Sequence, residues 1–386
     1  MATDLTSLWL KNIKRMGKAQ QAQGRKLLQS MLPKAVRAPS VRRAKPVRAA
    51  GAKAARRSGQ SSATQARFVA GFPGTWQKAC FPPTKAGLPA PAQRMLYWLY
   101  LPSGATARPA APRPLVVMLH GCQQTAADFA TATRMNELAE RKGFAVLYPQ
   151  QSASAGAPLC WPWYQRDTQQ GQGDVSRIVA MIAQVQRQHG LDASRTYLAG
   201  LSAGAAMATI VALRHPELIA AVGLHSAPVF GTTDSPMSAY RAMQHGSGTA
   251  YREAAREFSR ASPQFPGMPA LLIQGKRDPV VQRINVEQLA AQFMIFNAAS
   301  IGQAEPVLRS HAARLGGRRP HHAYNTVTYH AGGKAELVLC EIDGLGHAWS
   351  GGDASVAFSA PEGPDATLLM WNFLAQHQRA LLPSKP

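Results

Sequence analysis

Gly200-Leu201-Ser202-Ala203-Gly204 is a G-x-S-x-G box, with the apolar run Thr196 to Ala199 before it and the helix-like stretch Ala205 to Leu213 after it. A serine on a sharp strand-to-helix turn is lifted clear of its sheet, and flanking glycines relieve the crowding of a tight turn. Its hydroxyl then stands at a helix start, where the Ala203 N–H points at an oxyanion formed on an attacked carbonyl. A serine hydroxyl is a poor nucleophile at neutral pH and needs a histidine to take its proton and a carboxylate to hold that histidine. The glycine-rich loop Asp343 to Trp349 follows the strand-like run Glu336 to Ile342 and offers His347 as the base. The loop Gly275 to Val281 follows the short apolar run Pro269 to Gln274 and offers Asp278 as the acid. Asp343 is the rival acid, but its place four residues before His347 in the same loop suits turn formation, and Asp278 is preferred. A second oxyanion donor is expected from His120-Gly121-Cys122-Gln123-Gln124, at the end of the apolar run Leu115 to Leu119. The donor assigned is the Cys122 N–H, with Gly121 giving the close backbone path.

Other chemistry is sparse. His225 and Ser226 follow the strand after the box and are in place to line a site, whereas His311, His321, His322 and His330 fall in a basic, loop-like insertion. There is no H-x-x-x-H or H-E-x-x-H pair, no G-x-G-x-x-G and no P-loop, so neither a metal nor a cofactor is expected.

The elements that must position these residues alternate. Strand-like runs at Met95 to Pro102, Leu115 to Leu119, Phe144 to Pro149, Thr196 to Ala199, Ala220 to Leu224 and Ala270 to Gln274 are separated by helical patterns at Asp128 to Lys142 and Val175 to His189. A further helical pattern covers Ala366 to Leu382. Such alternation predicts an α/β architecture with a doubly wound, mostly parallel sheet, whose catalytic loops gather at the carboxyl ends of the strands.

With 386 residues and 46% hydrophobic residues the chain has ample material for a core. Its 43 Lys and Arg against 20 Asp and Glu would ordinarily suggest a nucleic acid or an anionic membrane as partner. The distribution changes that inference, because fifteen of the basic residues but only Asp4 among the acidic ones lie at or before Arg57. Residues 1–66 are therefore read as a basic extension, amphipathic over Leu5 to Leu32 and disordered over Lys34 to Gln65, with the catalytic domain spanning 67–386. The amphipathic stretch is either a surface anchor or a loosely packed tail helix. The linker lacks interleaved aromatics, which speaks against specific nucleic-acid binding. No transmembrane run and no export signal are visible. Four cysteines without C-x-x-C spacing do not make a disulfide scaffold.

Leu119-His120-Gly121-Cys122, Cys160-Trp161-Pro162-Trp163-Tyr164, Gly171-Gln172-Gly173-Asp174, Gly200 to Gly204 and Gly346-His347-Ala348-Trp349, in this order, resemble the polyhydroxybutyrate (PHB) depolymerase family of esterases. The resemblance covers roughly Leu115 to Trp349. It implies an α/β-hydrolase fold and a serine esterase acting on poly(3-hydroxyalkanoate) through Ser202, Asp278 and His347, with feruloyl, acetylxylan or other small-acyl esters as the alternative substrates. A non-catalytic surface-binding protein is the third reading. The resemblance also implies that Cys122 and Cys160 are disulfide partners in secreted members, and thiols in a reducing cytosol. Pro162 stands where the family often has asparagine. Trp161, Trp163, Tyr164 and Trp349 are read either as an apolar groove for the polymer or as simple core. No carboxyl-terminal polymer-binding module is expected, and the basic extension takes the role of holding the enzyme on a polyester granule. The expected compartment is the cytoplasm with granule association, the extracellular side being the alternative.

Overall fold

Leu115–Leu119 shows how the sequence sets the architecture, since all five side chains are buried and successive residues face opposite ways. Leu115, Val117 and Leu119 enter one hydrophobic cluster, while Val116 and Met118 enter another. The sheet therefore has two dry faces. Each fully buried large apolar side chain on them contributes about 1.5–3 kcal/mol.

The computed structural model describes residues 73–81, 94–105, 112–152, 159–314, 316–317 and 320–379. The expectations for residues 1–66 lie outside them. Among the described residues, a short parallel pair at Trp349–Ser350 and Ser359–Ala360 stands apart, and the main strands are β1 (Thr75–Phe81), β2 (Met95–Leu101), β3 (Leu115–Leu119), β4 (Ala145–Gln150), β5 (Thr196–Leu201), β6 (Ala221–His225), β7 (Ala270–Gly275), β8 (Val307–His311), β9 (Tyr324–Ala331) and β10 (Lys334–Ile342). They form one sheet in the order β1-β2-β4-β3-β5-β6-β7-β10-β9-β8. Neighbours from β4 through β10 pair in parallel, and β1-β2 and β9-β8 add antiparallel margins.

The longer helices among the described residues are α1 (Ala126–Thr133), α2 (Met135–Lys142), α3 (Asp174–His189), α4 (Ala203–Arg214), α5 (Pro236–His245), α6 (Ala250–Ala261), α7 (Ile284–Phe296) and α8 (Ala366–Leu374). Residues of α3, α4 and α7 join the cluster on one face, and residues of α1, α2 and α8 the cluster on the other. The single helix expected over Asp128 to Lys142 is two, because Arg134 adopts a left-handed backbone with φ 53° and caps α1. The insertion bearing His311 and His330 is also not a loop: it forms β8 and β9, which extend the sheet beyond β10. No helix among the described residues is long and apolar enough to cross a membrane.

Candidate active site

Strand β5 ends at Leu201, and Ser202 takes φ 58° and ψ −122° before α4 begins. Such a backbone at a non-glycine residue costs roughly 1–3 kcal/mol and persists only where the surroundings enforce it. They do so on both sides. Ser202 N–H donates to His225 O at 2.9 Å, and Ala206 N–H donates to Ser202 O at 3.0 Å. The flanking glycines are required by contact: a Cβ on Gly204 would lie 2.0 Å from Leu119 O, and one on Gly200 would lie 2.5 Å from the Gly204 carbonyl carbon.

The loop after β3 closes on the same turn. A Cβ on Gly121 would stand 3.6 Å from Ser202 Cβ, so this loop abuts the serine. Gly121 N–H is taken by Gln124 Oε1 at 2.9 Å and Gln123 N–H by Leu159 O at 3.3 Å. Between them, the Cys122 N–H has no acceptor among the described residues. Ala203 is the first residue of α4, where an N–H has no intrahelical acceptor. Two donors are thus left over beside one hydroxyl. The Cys122 loop is also fastened to the aromatic loop, by a disulfide to Cys160 and by Trp161 Nε1–H donating to His120 O at 2.9 Å.

Asp278 and His347 are brought together by the pairing of β7 with β10. Lys276 N–H donates to Ile342 O at 2.9 Å and Arg277 N–H to Leu345 O at 3.0 Å, which joins the loops that leave these two strands. Gly275 permits the approach, since a Cβ there would meet Leu345 O at 2.4 Å. His347 Nδ1–H donates to Asp278 Oδ2 at 2.8 Å, so Nε2 is left as the acceptor. Asp278 Oδ1 accepts from Val280 and Val281 N–H, both at 2.9 Å. Burial alone would raise the Asp278 pKa; the facing His347 and the N–H groups of Val281 and Val280 outweigh it and hold this carboxyl below the ordinary carboxylate value. The side-chain turn that an Asp makes with the N–H groups two and three residues on was a readable signal in Asp278-Pro279-Val280-Val281. Asp343 is elsewhere, half exposed and 2.7 Å from Lys276 Nζ. Ser202 Oγ makes no hydrogen bond to a described residue in this structure.

His225 connects the two halves. Its carbonyl holds the Ser202 N–H, its ring stacks on Trp349 at 5.4 Å, and burial pushes its pKa down to about 3 despite the nearby Asp278. His120 is likewise fully buried, with Nδ1–H donating to Gly121 O at 2.8 Å and Nε2 accepting Gln151 N–H at 3.1 Å. Burial pushes its pKa down to about 4, so it is a neutral strut under the loop.

Of the two readings of the aromatic residues, groove or core, burial favours the core. Trp161, Trp163 and Trp349 are 0%, 1% and 0% exposed, and Tyr164 is 9% exposed. Trp349 spends its N–H on Thr367 Oγ1 at 3.0 Å and packs edge-on against Phe129. The three tryptophans are core that supports the loops, because a side chain without free surface cannot wall a groove. Among the described residues no cluster of His, Cys, Asp or Glu suits a metal.

Residues 95–311 match the family model described as esterase PHB depolymerase. The poly(3-hydroxyalkanoate) depolymerase C of Paucimonas lemoignei is 31% identical over 252 residues, 64% of this chain and 57% of that protein. The probable acetylxylan esterase A of Aspergillus fumigatus is 33% identical over 133 residues, 34% of each chain. The chain thus spans little more than half of the first of these relatives and about a third of the second. Among solved structures, an acetyl xylan esterase from Aspergillus awamori shares the fold with a TM-score of 0.57 at 20% identity, over 71% of this chain and 94% of that one.

Proposed function

Since the chain belongs to the esterase PHB depolymerase family and has the α/β-hydrolase fold, we propose that it is a serine carboxylic ester hydrolase with Ser202 as nucleophile. The observation that carries the reading is the buried Asp278–His347 bond at the carboxyl ends of β7 and β10, on the same end of the sheet as the strained Ser202 turn. In this reading His347 Nε2 takes the Ser202 proton as Oγ attacks the ester carbonyl. The Cys122 and Ala203 N–H groups receive the negative oxygen of the tetrahedral intermediate. Its collapse breaks the ester C–O bond, and the alcohol leaves with the proton from His347. Water then repeats the sequence on the acyl-enzyme, releasing the acid and restoring Ser202. Asp278 keeps the imidazole in the Nδ1–H form and balances its charge when protonated.

The substrate we favour is poly(3-hydroxyalkanoate), in keeping with the name of the Paucimonas relative, and poly(3-hydroxybutyrate) in particular, in keeping with the family description. A second reading, acetyl, feruloyl or other small acyl esters, is supported by the burial of the three tryptophans, which leaves them no surface to offer a polymer, and by the acetylxylan esterase relative. Residues 1–66 are our candidate for contact with the granule. The test is release of 3-hydroxybutyrate and its oligomers from amorphous granules, beside turnover of p-nitrophenyl butyrate, methyl ferulate and acetylated xylan, by wild type and Ser202→Ala. Release that depends on Ser202 supports the polyester reading. Turnover of small esters alone moves the substrate to the second reading, and full activity of Ser202→Ala removes the mechanism.

A further inference from the structure

Trp161, Trp163 and Trp349 are committed to the core, but one aromatic side chain beside His347 is not. Phe358 is half-buried, and its ring stands nearly perpendicular to the His347 imidazole, with 6.4 Å between centroids and 85° between planes. Its backbone has φ 60°, in the left-handed region that a bulky residue rarely occupies. Strain of this kind persists only where the surroundings impose it, and it gathers at functional sites.

Here the surroundings are parts of the proposed active site. The N–H of Trp349, two residues past His347, donates to Phe358 O at 2.8 Å. Gln124 Nε2 donates to Ala357 O at 3.5 Å, while Gln124 Oε1 accepts the Gly121 N–H at 2.9 Å. On the other side of Phe358 in the chain, Ser359 Oγ donates to Ala132 O at 3.3 Å. The segment that bears Phe358 is therefore tied to the base loop and to the proposed oxyanion loop at once. Its open surface is apolar: Ala357 is exposed, Val356 is half-buried, and so is Ala348 beside the base. None of these side chains carries a hydrogen-bonding group.

Building on the ester-hydrolase reading above, we infer that Phe358 is a specificity-determining residue, an apolar wall for the alcohol half of the ester that selects a branched aliphatic alcohol over a hydroxyl-rich one. In that mechanism His347 hands its proton to the leaving alcohol, so a ring that flanks the imidazole flanks the alcohol half of the substrate. A phenyl ring offers no partner to a hydroxyl group. A sugar hydroxyl turned toward it would lose water without replacement, whereas a methyl or methylene group laid against it gains from leaving water. A secondary alcohol carrying a methyl group, as at each link of poly(3-hydroxybutyrate), meets that demand.

The test is hydrolysis of 2-butyl butyrate and of methyl butyrate, followed by pH-stat, with the full chain, its Phe358→Ala and Phe358→Leu variants, and Ser202→Ala as control. Both replacements at 358 carry a Cβ and so keep the same backbone constraint, and melting curves check that they fold. Phe358→Ala should lower kcat/KM on 2-butyl butyrate about ten-fold, chiefly through KM. The loss on methyl butyrate should be no more than about three-fold, since that alcohol reaches little of the ring. Phe358→Leu should recover most of the loss, because it restores apolar volume. Equal losses on the two esters, carried by kcat, would make Phe358 a support of His347 and overturn the proposal. So would wild-type rates on both esters in Phe358→Ala. Hydrolysis that survives in Ser202→Ala brings down the catalytic reading and this one with it, whereas a failure confined to the ester preference leaves the catalytic reading standing.

Discussion

At the scale of single residues, the division of labour between two aspartates is the sharpest expectation. Asp278 is buried against His347 with both oxygens used, whereas Asp343 is tied to Lys276 in solvent. Asp278→Asn should lower kcat on p-nitrophenyl butyrate by about 10⁴-fold, because an amide cannot hold the required tautomer or balance the imidazolium. Asp343→Asn should stay within about two-fold of wild type, as an exposed ion pair contributes little. Comparable losses in the two variants would go against the assignment of Asp278. Ser202, Asp278 and His347 were proposed from the sequence because each follows a strand-like run, and the carboxyl ends of parallel strands converge; the run before His347 carries Glu336 and Glu341 and is only partly buried. The orientation of Trp161, Trp163 and Trp349 was not legible. An aromatic motif gives the ring but not the side on which it finds its partners, and here these include His120 O and Thr367.

At the scale of elements, the Cys122 loop, which we propose as the oxyanion loop, is held from outside itself. The Cys122–Cys160 bridge closes a segment of 38 residues, and in the loop-entropy account such a bridge is worth about 4 kcal/mol. Reduction by dithiothreitol should therefore lower the melting temperature. It should also lower kcat more than it raises KM, since in the proposed mechanism it loosens a donor used chiefly in the transition state. Unchanged kcat in a protein shown to be reduced would mean that Trp161 and Gln124 hold the loop unaided. The break between α1 and α2 escaped the sequence reading for a related reason. The apolar periodicity runs through Arg134, and only the turn geometry interrupts it, with Arg134 N–H donating to Ala130 O and Thr131 O. The strands β8 and β9 were hidden as well, because a margin exposed on its outer side needs no continuous apolar run.

At the scale of the whole molecule, stability depends on histidines kept neutral. Burial pushes His120 and His377 down to about 4 and His225 to about 3, against an ordinary value of 6.5. Between those values the unfolded chain binds protons that the folded chain refuses. The stability present above pH 6.5 is thus lost progressively as the pH falls toward 4, each histidine adding at most about 1.4 kcal/mol per pH unit to the slope. Asp278, held low by His347, adds its own loss at still more acid pH. The urea midpoint should fall between pH 7 and pH 5; a flat or rising midpoint would mean that these rings find protonated partners. The bonds that lock the loop of Lys276 and Arg277 to that of Ile342 and Leu345 have a different consequence. They make the proposed acid and base a single cassette, although 69 residues separate the two along the chain. The β8–β9 margin leaves that interval and rejoins it at β10 without crossing the cassette. Natural drift or a designer can lengthen, trim or recharge the margin while the Asp278–His347 pair keeps its register, so a chain of this plan can be fitted to new surfaces without being rebuilt.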